Sequence, residues 1–208
     1  MSEALEPHGI RVLFADRDLI LVHKPFGLAS QAGRGGEPGV VELLRAAGFP
    51  TATLHHRLDQ TASGVMALGL SEAANPGLAT AFRRHTAQRT YQAVLGGPIV
   101  EQAAWNAPIE GKTALTHITR LGEGSGFSAV SVRLETGRTH QIRKHAAMAG
   151  VPIVGDRRYG GELGRAWPRL ALHAASLTIP HPVRGELVHG VSPMPEELAP
   201  LWALAGGA

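Results

Sequence analysis

The chain has 208 residues, with 20 Lys plus Arg against 17 Asp plus Glu, 11 His and no Cys. This length is about that of one domain and is long enough to bury a core without covalent cross-links. The lack of Cys excludes disulfides, thiolate zinc sites and Cys nucleophiles, and it is typical of a reducing compartment. The net charge of +3 is too small to establish a polyanionic partner on its own.

The N-terminal stretch MSEALEPHGIRVLFADRD contains acids and a Pro where a secretory signal peptide has a basic start and an apolar run. No apolar stretch of the sequence reaches the roughly 18 residues that a membrane-spanning helix needs. We therefore predict a cytoplasmic protein that does not associate with membranes.

In the first half of the chain, Gly and Pro separate short periodic segments. IRVLFADRDLILVHKP (10–25) predicts two strands joined by a turn, and VVELLRAAG (40–48) predicts a helix that stops at a Gly. SGVMALGL (63–70) predicts a buried strand, since it is mostly apolar and of strand length. Residues 71–88 have helical character, although a Pro and a Gly obscure where the helix starts.

The second half also alternates strands and helices, and its half-buried strands show polar and apolar residues in turn. Strands are predicted for residues 89–97, 113–121, 127–135, 169–182 and 185–191. Helices are predicted for residues 138–150 and 194–207. Strands predominate and are mostly sequential, so we predict an α+β fold with a mixed, mainly antiparallel central sheet flanked by helices.

The sequence shows no repeat and no linker longer than a turn. We therefore expect a single domain over residues 1–208, in which residues 1–17 form a short N-terminal extension and the first strand. Two Arg clusters, FRRHTAQR (82–89) and GDRRYG (155–160), could line one face and contact phosphate. Taken singly, each cluster is better explained as a solvated helix face or a solvated turn, since charged runs are usually surface.

Common catalytic motifs are missing from the sequence. There is no His-Glu-x-x-His, and His140 and His145 are five residues apart, on different faces of the predicted helix. No Gly-x-Ser-x-Gly elbow indicates a serine hydrolase. GRGGEPG (33–39) matches neither the dinucleotide fingerprint nor the Walker pattern, and we expect a flexible loop there.

The stretch HHRLDQTASG (55–64) contains one carboxylate, Asp59, with no second acid beside it. It lacks the neighbours that a metal site or a carboxylate pair requires. Asp59 is therefore either a turn residue that bonds nearby backbone or a nucleophile that works alone.

Five blocks in one order resemble the RluA-type pseudouridine synthases. They are DLILVHKPFGL (18–28), HRLDQTASGV (56–65), RTYQAVLGG (89–97), LETGRTHQIRKHAAMAGVPIVGDRRYG (134–160) and RLALHAASLTIPHP (169–182). Together they cover nearly the whole chain, and the fourth block is long enough to be specific. The resemblance implies a catalytic domain with a central cleft that converts uridine in RNA to its C5-linked isomer.

Three positions match the catalytic residues of that family. The resemblance implies that Asp59 is the catalytic aspartate, Tyr91 the active-site tyrosine and Arg143 the arginine paired with the aspartate. A neighbouring cation keeps a carboxylate ionised, and a tyrosine ring can stack on a flipped pyrimidine. The isomerisation oxidises nothing and consumes no group, so we expect neither a metal nor an organic cofactor.

Further matching residues are expected to shape the cleft or contact RNA. They are His56, Arg57, Arg138, His140, Gln141 and Leu172. Lys24 and Pro25 match the first block, where a structural role is at least as good an interpretation.

Many relatives carry an N-terminal S4 RNA-binding domain, whereas the first block begins here at about residue 18. We expect no S4 domain, so the catalytic domain, expected to be a monomer, must itself recognise the rRNA or tRNA loop that contains the target uridine. Two alternatives stay open: a non-catalytic RNA-binding module of the same fold, and a His-rich metal-dependent hydrolase. The sequence specifies neither the RNA nor the modified positions.

Overall fold

The structure, a computed structural model, describes residues 4–33 and 35–208. Residues 1–3 of the predicted N-terminal extension and residue 34 of the predicted flexible loop lie outside the described residues. The chain divides into two compact units. Unit 1 consists of Met1–Gln88 and Ala174–Ser192, and unit 2 of Arg89–His173 and Pro193–Ala208. The single domain expected over residues 1–208 stays a prediction.

Ten strands and four α-helices, together with short 3-10 helices at Glu6–His8 and Gly161–Arg165, make up the described chain. The strands are β1 (Arg11–Ala15), β2 (Leu19–Lys24), β3 (Thr53–Leu54), β4 (Ser63–Gly69), β5 (Gln88–Leu95), β6 (Gln102–Trp105), β7 (Thr116–Gly124), β8 (Phe127–Leu134), β9 (Leu172–Pro180) and β10 (Leu187–Val191). The helices are α1 (Val40–Ala46), α2 (Ala74–Arg83), α3 (Gln141–Met148) and α4 (Ala199–Leu204).

Unit 1 is built on the strand order β1-β2-β4-β9, with β3 also paired to β4 and β10 to β9. β2 pairs antiparallel with both β1 and β4, and β9 pairs antiparallel with β10. Both β2 and β4 are buried along their whole length, and for β4 this burial was predicted from its apolar run. Side chains from these strands pack against α2 in one core: Leu19, Leu21, Val65, Ala67, Ala74, Leu78, Ala81, Leu177 and Ile179.

Unit 2 contains the antiparallel order β5-β8-β7-β6. Its register places Tyr91 opposite Val132 and Val132 opposite Ile118, and all three are buried. The neighbouring row, which contains Gln92 and Ser131, is more exposed. This alternation across the strands is what the polar and apolar residues of the sequence predict.

The predicted α+β class with a mainly antiparallel sheet and flanking helices is confirmed. The strands β3 and β6 and the two 3-10 helices were not predicted, since they are too short to show a period. Helix α2 begins before Pro76, because a Pro in the first turn lacks only an N–H that has no helical partner there. None of the described helices is long and apolar enough to cross a membrane.

Candidate active site

Asp59 lies in unit 1, in the loop between β3 and β4, and its side chain is half-buried. The main chain closes the turn that follows it, because the carbonyl oxygen of Asp59 accepts a hydrogen bond from the amide of Ala62 at 3.0 Å. Gly64, at the start of β4, has φ +120°, and a Cβ there would lie 2.2 Å from the carbonyl oxygen of Ala174. These main-chain contacts fix the backbone that follows Asp59.

A fully buried lysine holds the residue that follows Asp59. The amine of Lys24, the last residue of β2, donates hydrogen bonds to the carbonyl oxygens of Pro25 at 2.9 Å, Leu28 at 2.7 Å and Gln60 at 3.3 Å. These carbonyls satisfy hydrogen-bonding capacity that burial would otherwise leave unmet. Lys24 therefore joins the loop after β2 to the loop that carries Asp59, which gives it the structural role considered from the sequence.

Two further contacts fix the main chain on both sides of Asp59. The hydroxyl of Ser30 donates to the carbonyl oxygen of Leu58 at 2.8 Å and accepts from the amide of Leu58 at 3.1 Å. Gly27 and Gln60 exchange two bonds of 2.9 Å, from the Gly27 amide to the Gln60 carbonyl and from the Gln60 side chain to the Gly27 carbonyl. The loop is therefore held at Leu58 and at Gln60.

His56 and Arg57, expected to shape the cleft or contact RNA, lie in the same loop but differ in environment. Nε2 of His56 accepts a hydrogen bond from the amide of Ala67 at 2.9 Å, and its ring stacks on Phe82 of α2 with centroids 4.2 Å apart. Arg57 is exposed and makes no ion pair with another described residue. His56 thus has a packing role in unit 1, whereas Arg57 offers a solvent-facing cation. RNA contact by either residue stays a prediction.

The other two expected catalytic residues lie in unit 2. Tyr91 is on β5, 6% exposed, opposite Val132 of β8. Arg143 is on α3, 6% exposed, and its Nε and Nη2 donate hydrogen bonds of 2.8 Å to Oδ2 and Oδ1 of Asp156. The ring of Tyr159 lies against the same guanidinium, with Cζ 5.1 Å from the ring centroid.

The turn that leads into α3 brings three more predicted residues together. Gln141 is buried, and its Oε1 accepts from the hydroxyl of Thr136 at 2.7 Å and from the amide of Arg138 at 3.0 Å. His140 has a left-handed backbone, φ 56°, and its Nδ1 lies 2.9 Å from the hydroxyl of Tyr159. This backbone conformation explains why α3 begins at Gln141 instead of residue 138.

Arg138 and Leu172 are the remaining residues that the sequence predicted to shape the cleft or contact RNA. Arg138 is exposed, and its Nε donates to the carbonyl oxygen of Thr113 at 3.0 Å. Leu172 is the first residue of β9 and is buried. An exposed arginine suits phosphate contact, whereas a buried leucine suits packing. Both roles in binding RNA stay predictions.

Two residues that contact Arg143, Asp156 and Tyr159, were not singled out as site residues from the sequence. Burial alone would raise the pKa of Asp156, but the hydrogen bonds and charge of Arg143, with the amides of Arg158 and Tyr159, hold that pKa below its ordinary value. Both residues belong to GDRRYG, which stood out only for its arginines. The available signal in the sequence was the position of Asp156, an acid directly before the pair Arg157 and Arg158, which could have indicated a partner for an arginine.

The metal-site alternative has one candidate in the described part of the chain, and it lies away from the predicted residues in sequence. Asp16, Asp18 and His181 present ligand atoms within 4.8 Å of one another. Oδ2 of Asp16 already accepts from Nε2 of His181 and from Nη2 of Arg184, both at 2.9 Å. These bonds account for the group as a polar contact between the β1–β2 turn and the end of β9.

The sequence and the α+β fold agree with a known class of RNA-modifying enzymes. Residues 18–148 match the family model described as RNA pseudouridylate synthase, and the chain belongs to this family. The enzyme is therefore an RNA pseudouridine synthase, and the predicted family is confirmed.

Several relatives match over most of the chain. Ribosomal large subunit pseudouridine synthase D of Xanthomonas campestris is 35% identical over 91% of this chain and 67% of its own. An uncharacterized RNA pseudouridine synthase of Mycobacterium bovis is 36% identical over 93% of this chain and 72% of its own. The solved structure of human RNA Pseudouridylate Synthase Domain Containing 1 has a TM-score of 0.78 at 28% identity, covering 90% of this chain and 84% of its own.

Proposed function

We propose that this enzyme isomerises one or more uridines of ribosomal RNA to pseudouridine, with Asp59 as the nucleophile. The relatives from Xanthomonas campestris and Haemophilus ducreyi are named for the large ribosomal subunit, which favours rRNA over tRNA. The observation that carries the role of Asp59 is its loop. Bonds to Leu58 and Gln60 fix the main chain on both sides of the carboxylate.

The reaction breaks the bond between C1′ of the ribose and N1 of uracil and forms a bond between C1′ and C5. The proton on C5 leaves, N1 gains a proton, and no atom is added overall. A carboxylate can add to a carbon of the nucleotide and leave again, which divides one difficult step into two easier ones. We propose that the reaction needs neither a metal nor an organic cofactor, because no electrons are transferred and no group is consumed.

Tyr91 and Arg143 complete the proposed catalytic set through the roles that the family resemblance implies. A tyrosine ring offers a flat apolar face for a flipped uracil and a hydroxyl for its edge or its C5 proton. An arginine stabilises the charged form of an aspartate. Asp156 accepts hydrogen bonds from Nε and Nη2 of Arg143. A second carboxylate could therefore bind this guanidinium only along its other edge, which includes Nη1.

The proposal extends to the state and location of the enzyme. We propose that it acts as a monomer in the cytoplasm on a loop or bulge, since a stacked and paired uridine costs a few kcal/mol to extrude. Exposed arginines such as Arg57 and Arg138 supply candidate phosphate contacts.

A tritium-release assay tests the proposal. Transcripts of large-subunit rRNA and of tRNA, each carrying uridine tritiated at C5, are incubated with the enzyme, and the label set free is counted. We expect release from the rRNA transcript, from its loops and not from paired stems. Release from tRNA alone would overturn the proposed target, and no release from either RNA would overturn the proposed reaction. Mapping pseudouridine in a deletion strain would then identify the position.

A further inference from the structure

The turn from Gly155 to Gly160 holds the side chain of Arg143 in a fixed plane. Two parallel hydrogen bonds of 2.8 Å join the guanidinium to the Asp156 carboxylate, and the two side chains are 7% and 0% exposed. A bidentate pair of this kind fixes the orientation of an arginine as well as its position. The contact therefore determines which edge of the guanidinium faces away from Asp156.

Asp156 is itself held in place by its own turn. Its Oδ1 accepts hydrogen bonds from the amides of Arg158 at 3.0 Å and Tyr159 at 3.2 Å, and its carbonyl oxygen accepts from the amide of Gly160 at 2.7 Å. Gly155 has φ +75°, and a Cβ there would lie 1.9 Å from the carbonyl oxygen of Arg169. The carboxylate that orients Arg143 thus has little freedom of its own.

Asp156 binds one edge of the Arg143 guanidinium, and Tyr159 packs against its face. The Arg143 Cζ lies 5.1 Å from the Tyr159 ring centroid, within the range of a cation–π contact. The hydroxyl of Tyr159 and Nδ1 of His140 are 2.9 Å apart, and the two rings meet edge to face at 5.6 Å. His140 directly precedes α3, the helix that carries Arg143. The contact between His140 and Tyr159 therefore holds the Tyr159 ring close to that helix.

We propose that Asp156 and Tyr159 are positioning residues that orient Arg143 for the isomerisation. This inference rests on the proposed role of Arg143 in the reaction. Both residues lie beyond the segment 18–148 that the family model matches. A long arginine side chain is effective in a site only when its geometry is set before the substrate arrives, because reorganisation during the reaction raises the barrier. Asp156 sets the plane of the guanidinium, and Tyr159 restricts its motion out of that plane.

Asp156→Asn tests the in-plane contact. The amide offers one acceptor oxygen, and its NH2 group opposes the second N–H of Arg143, so the bidentate pair is lost. In single-turnover tritium release with enzyme in saturating excess over the rRNA transcript, we expect the rate constant to fall about 10- to 100-fold, while the enzyme concentration at half-maximal rate stays unchanged. Circular dichroism reports the fraction of folded enzyme. A purely structural role would lower that fraction or the melting temperature and leave the rate constant at saturating enzyme unchanged.

Glu110→Gln is the matched control. Glu110 pairs with Lys144, the neighbour of Arg143 on α3, so the variant also removes a carboxylate from a pair on this helix. The Glu110 side chain is 71% exposed, and we expect its rate constant to stay within about twofold of wild type. Tyr159→Leu keeps most of the volume and removes the aromatic face, for an expected three- to tenfold fall.

The outcomes separate the two proposals. If wild type and Glu110→Gln release label and Asp156→Asn does so at the wild-type rate constant, the positioning role is wrong and the proposed function stands. If Asp156→Asn does not fold, Tyr159→Leu decides, and a wild-type rate constant in that variant would overturn the inference. A wild-type enzyme that releases no label from any RNA would remove the proposed function and this inference with it.

Discussion

The Asp59 loop of unit 1 and the Arg143 turn of unit 2 hold their candidate residues by different chemistry. In unit 1, Lys24 and Ser30 bind main-chain groups on both sides of Asp59, and these contacts fix the loop. In unit 2, Asp156 binds the side chain of Arg143 itself. The difference shows two ways to position a residue: contacts to the main chain on either side of it, and a partner at the far end of its side chain.

The two arrangements should therefore fail differently. Loss of a main-chain anchor leaves the charge of Asp59 unchanged and loosens the loop, so stability should suffer first. Changes to the charged groups themselves should reduce turnover first, because they alter the carboxylate proposed to react or the cation proposed to stabilise it.

The largest effect is expected for Asp59→Asn. The substitution keeps the shape of the side chain and removes its charge, so the protein should fold and bind RNA, while tritium release falls by several orders of magnitude. Asn is an excellent turn residue, so a turn role would leave the variant nearly fully active. Asp16→Asn is a control that removes another carboxylate of unit 1. Activity of Asp59→Asn within about tenfold of wild type, roughly 1.4 kcal/mol of barrier, would refute the nucleophile assignment.

Arg143→Lys comes next. Lysine keeps the positive charge and loses the planar fork that matches the Asp156 carboxylate, so we expect kcat to fall about 100-fold, roughly 2.7 kcal/mol of barrier, with the fold intact. Circular dichroism monitors the fold, and steady-state tritium release gives kcat. Arg133→Lys changes an arginine of the same unit whose side chain is 59% exposed and should be neutral. Wild-type turnover in Arg143→Lys would show that the arginine is misassigned.

Lys24→Met tests the main-chain anchor. It leaves the carbonyl oxygens of Pro25, Leu28 and Gln60 without this donor, and we expect the free energy of unfolding in urea to fall by about 1–3 kcal/mol. The fall in kcat should be smaller than for Arg143→Lys, since Asp59 keeps its charge. Lys112→Met removes an exposed lysine and should leave stability unchanged. If the fall in kcat, expressed as an increase in barrier, exceeded the loss in the free energy of unfolding, the distinction between the two regions would be wrong.

The smallest effect concerns acid stability. Burial alone would raise the pKa of Asp16, but the amides of Asp18 and Leu19 and the side chains of Arg184 and His181 lower that pKa from 3.8 to about 2. Because the folded pKa lies below the unfolded one, Asp16 stabilises the fold above about pH 4, and this contribution is lost as the pH falls toward 2. Urea unfolding should therefore show a difference between wild type and Asp16→Asn that is full at pH 6 and shrinks toward pH 2. A difference that stays constant with pH would exclude this linkage.

Sequence patterns predicted most of the elements because those patterns are local. The alternation in 113–121 and 127–135 became β7 and β8, and the apolar run 63–70 became β4. The prediction was less accurate at the end of the chain, since the helix predicted over 194–207 is confined to Ala199–Leu204. Helix α4 is short, and a six-residue helix leaves little period to read.

Candidate residues were accessible from the sequence, but their partners were not. His56 was expected to shape the cleft or contact RNA, and only the fold shows that its ring stacks on Phe82, 26 positions away in the sequence. Lys24 bonds to Gln60 across 36 positions. No spacing rule connects residues at such distances, because the chain path between them sets which side chains meet.

The amino-acid sequence was enough to predict the α+β class, the order of the longer strands and helices, the family and the residues that match its motifs. Each of these follows from periodicity or from motif blocks within short stretches. Tertiary structure alone decided that Lys24 caps carbonyls beside Asp59 and that Asp156 and Tyr159 enclose Arg143. The physical reason is that burial makes a polar group find a partner, and which partner it finds depends on packing between segments that are distant in the chain.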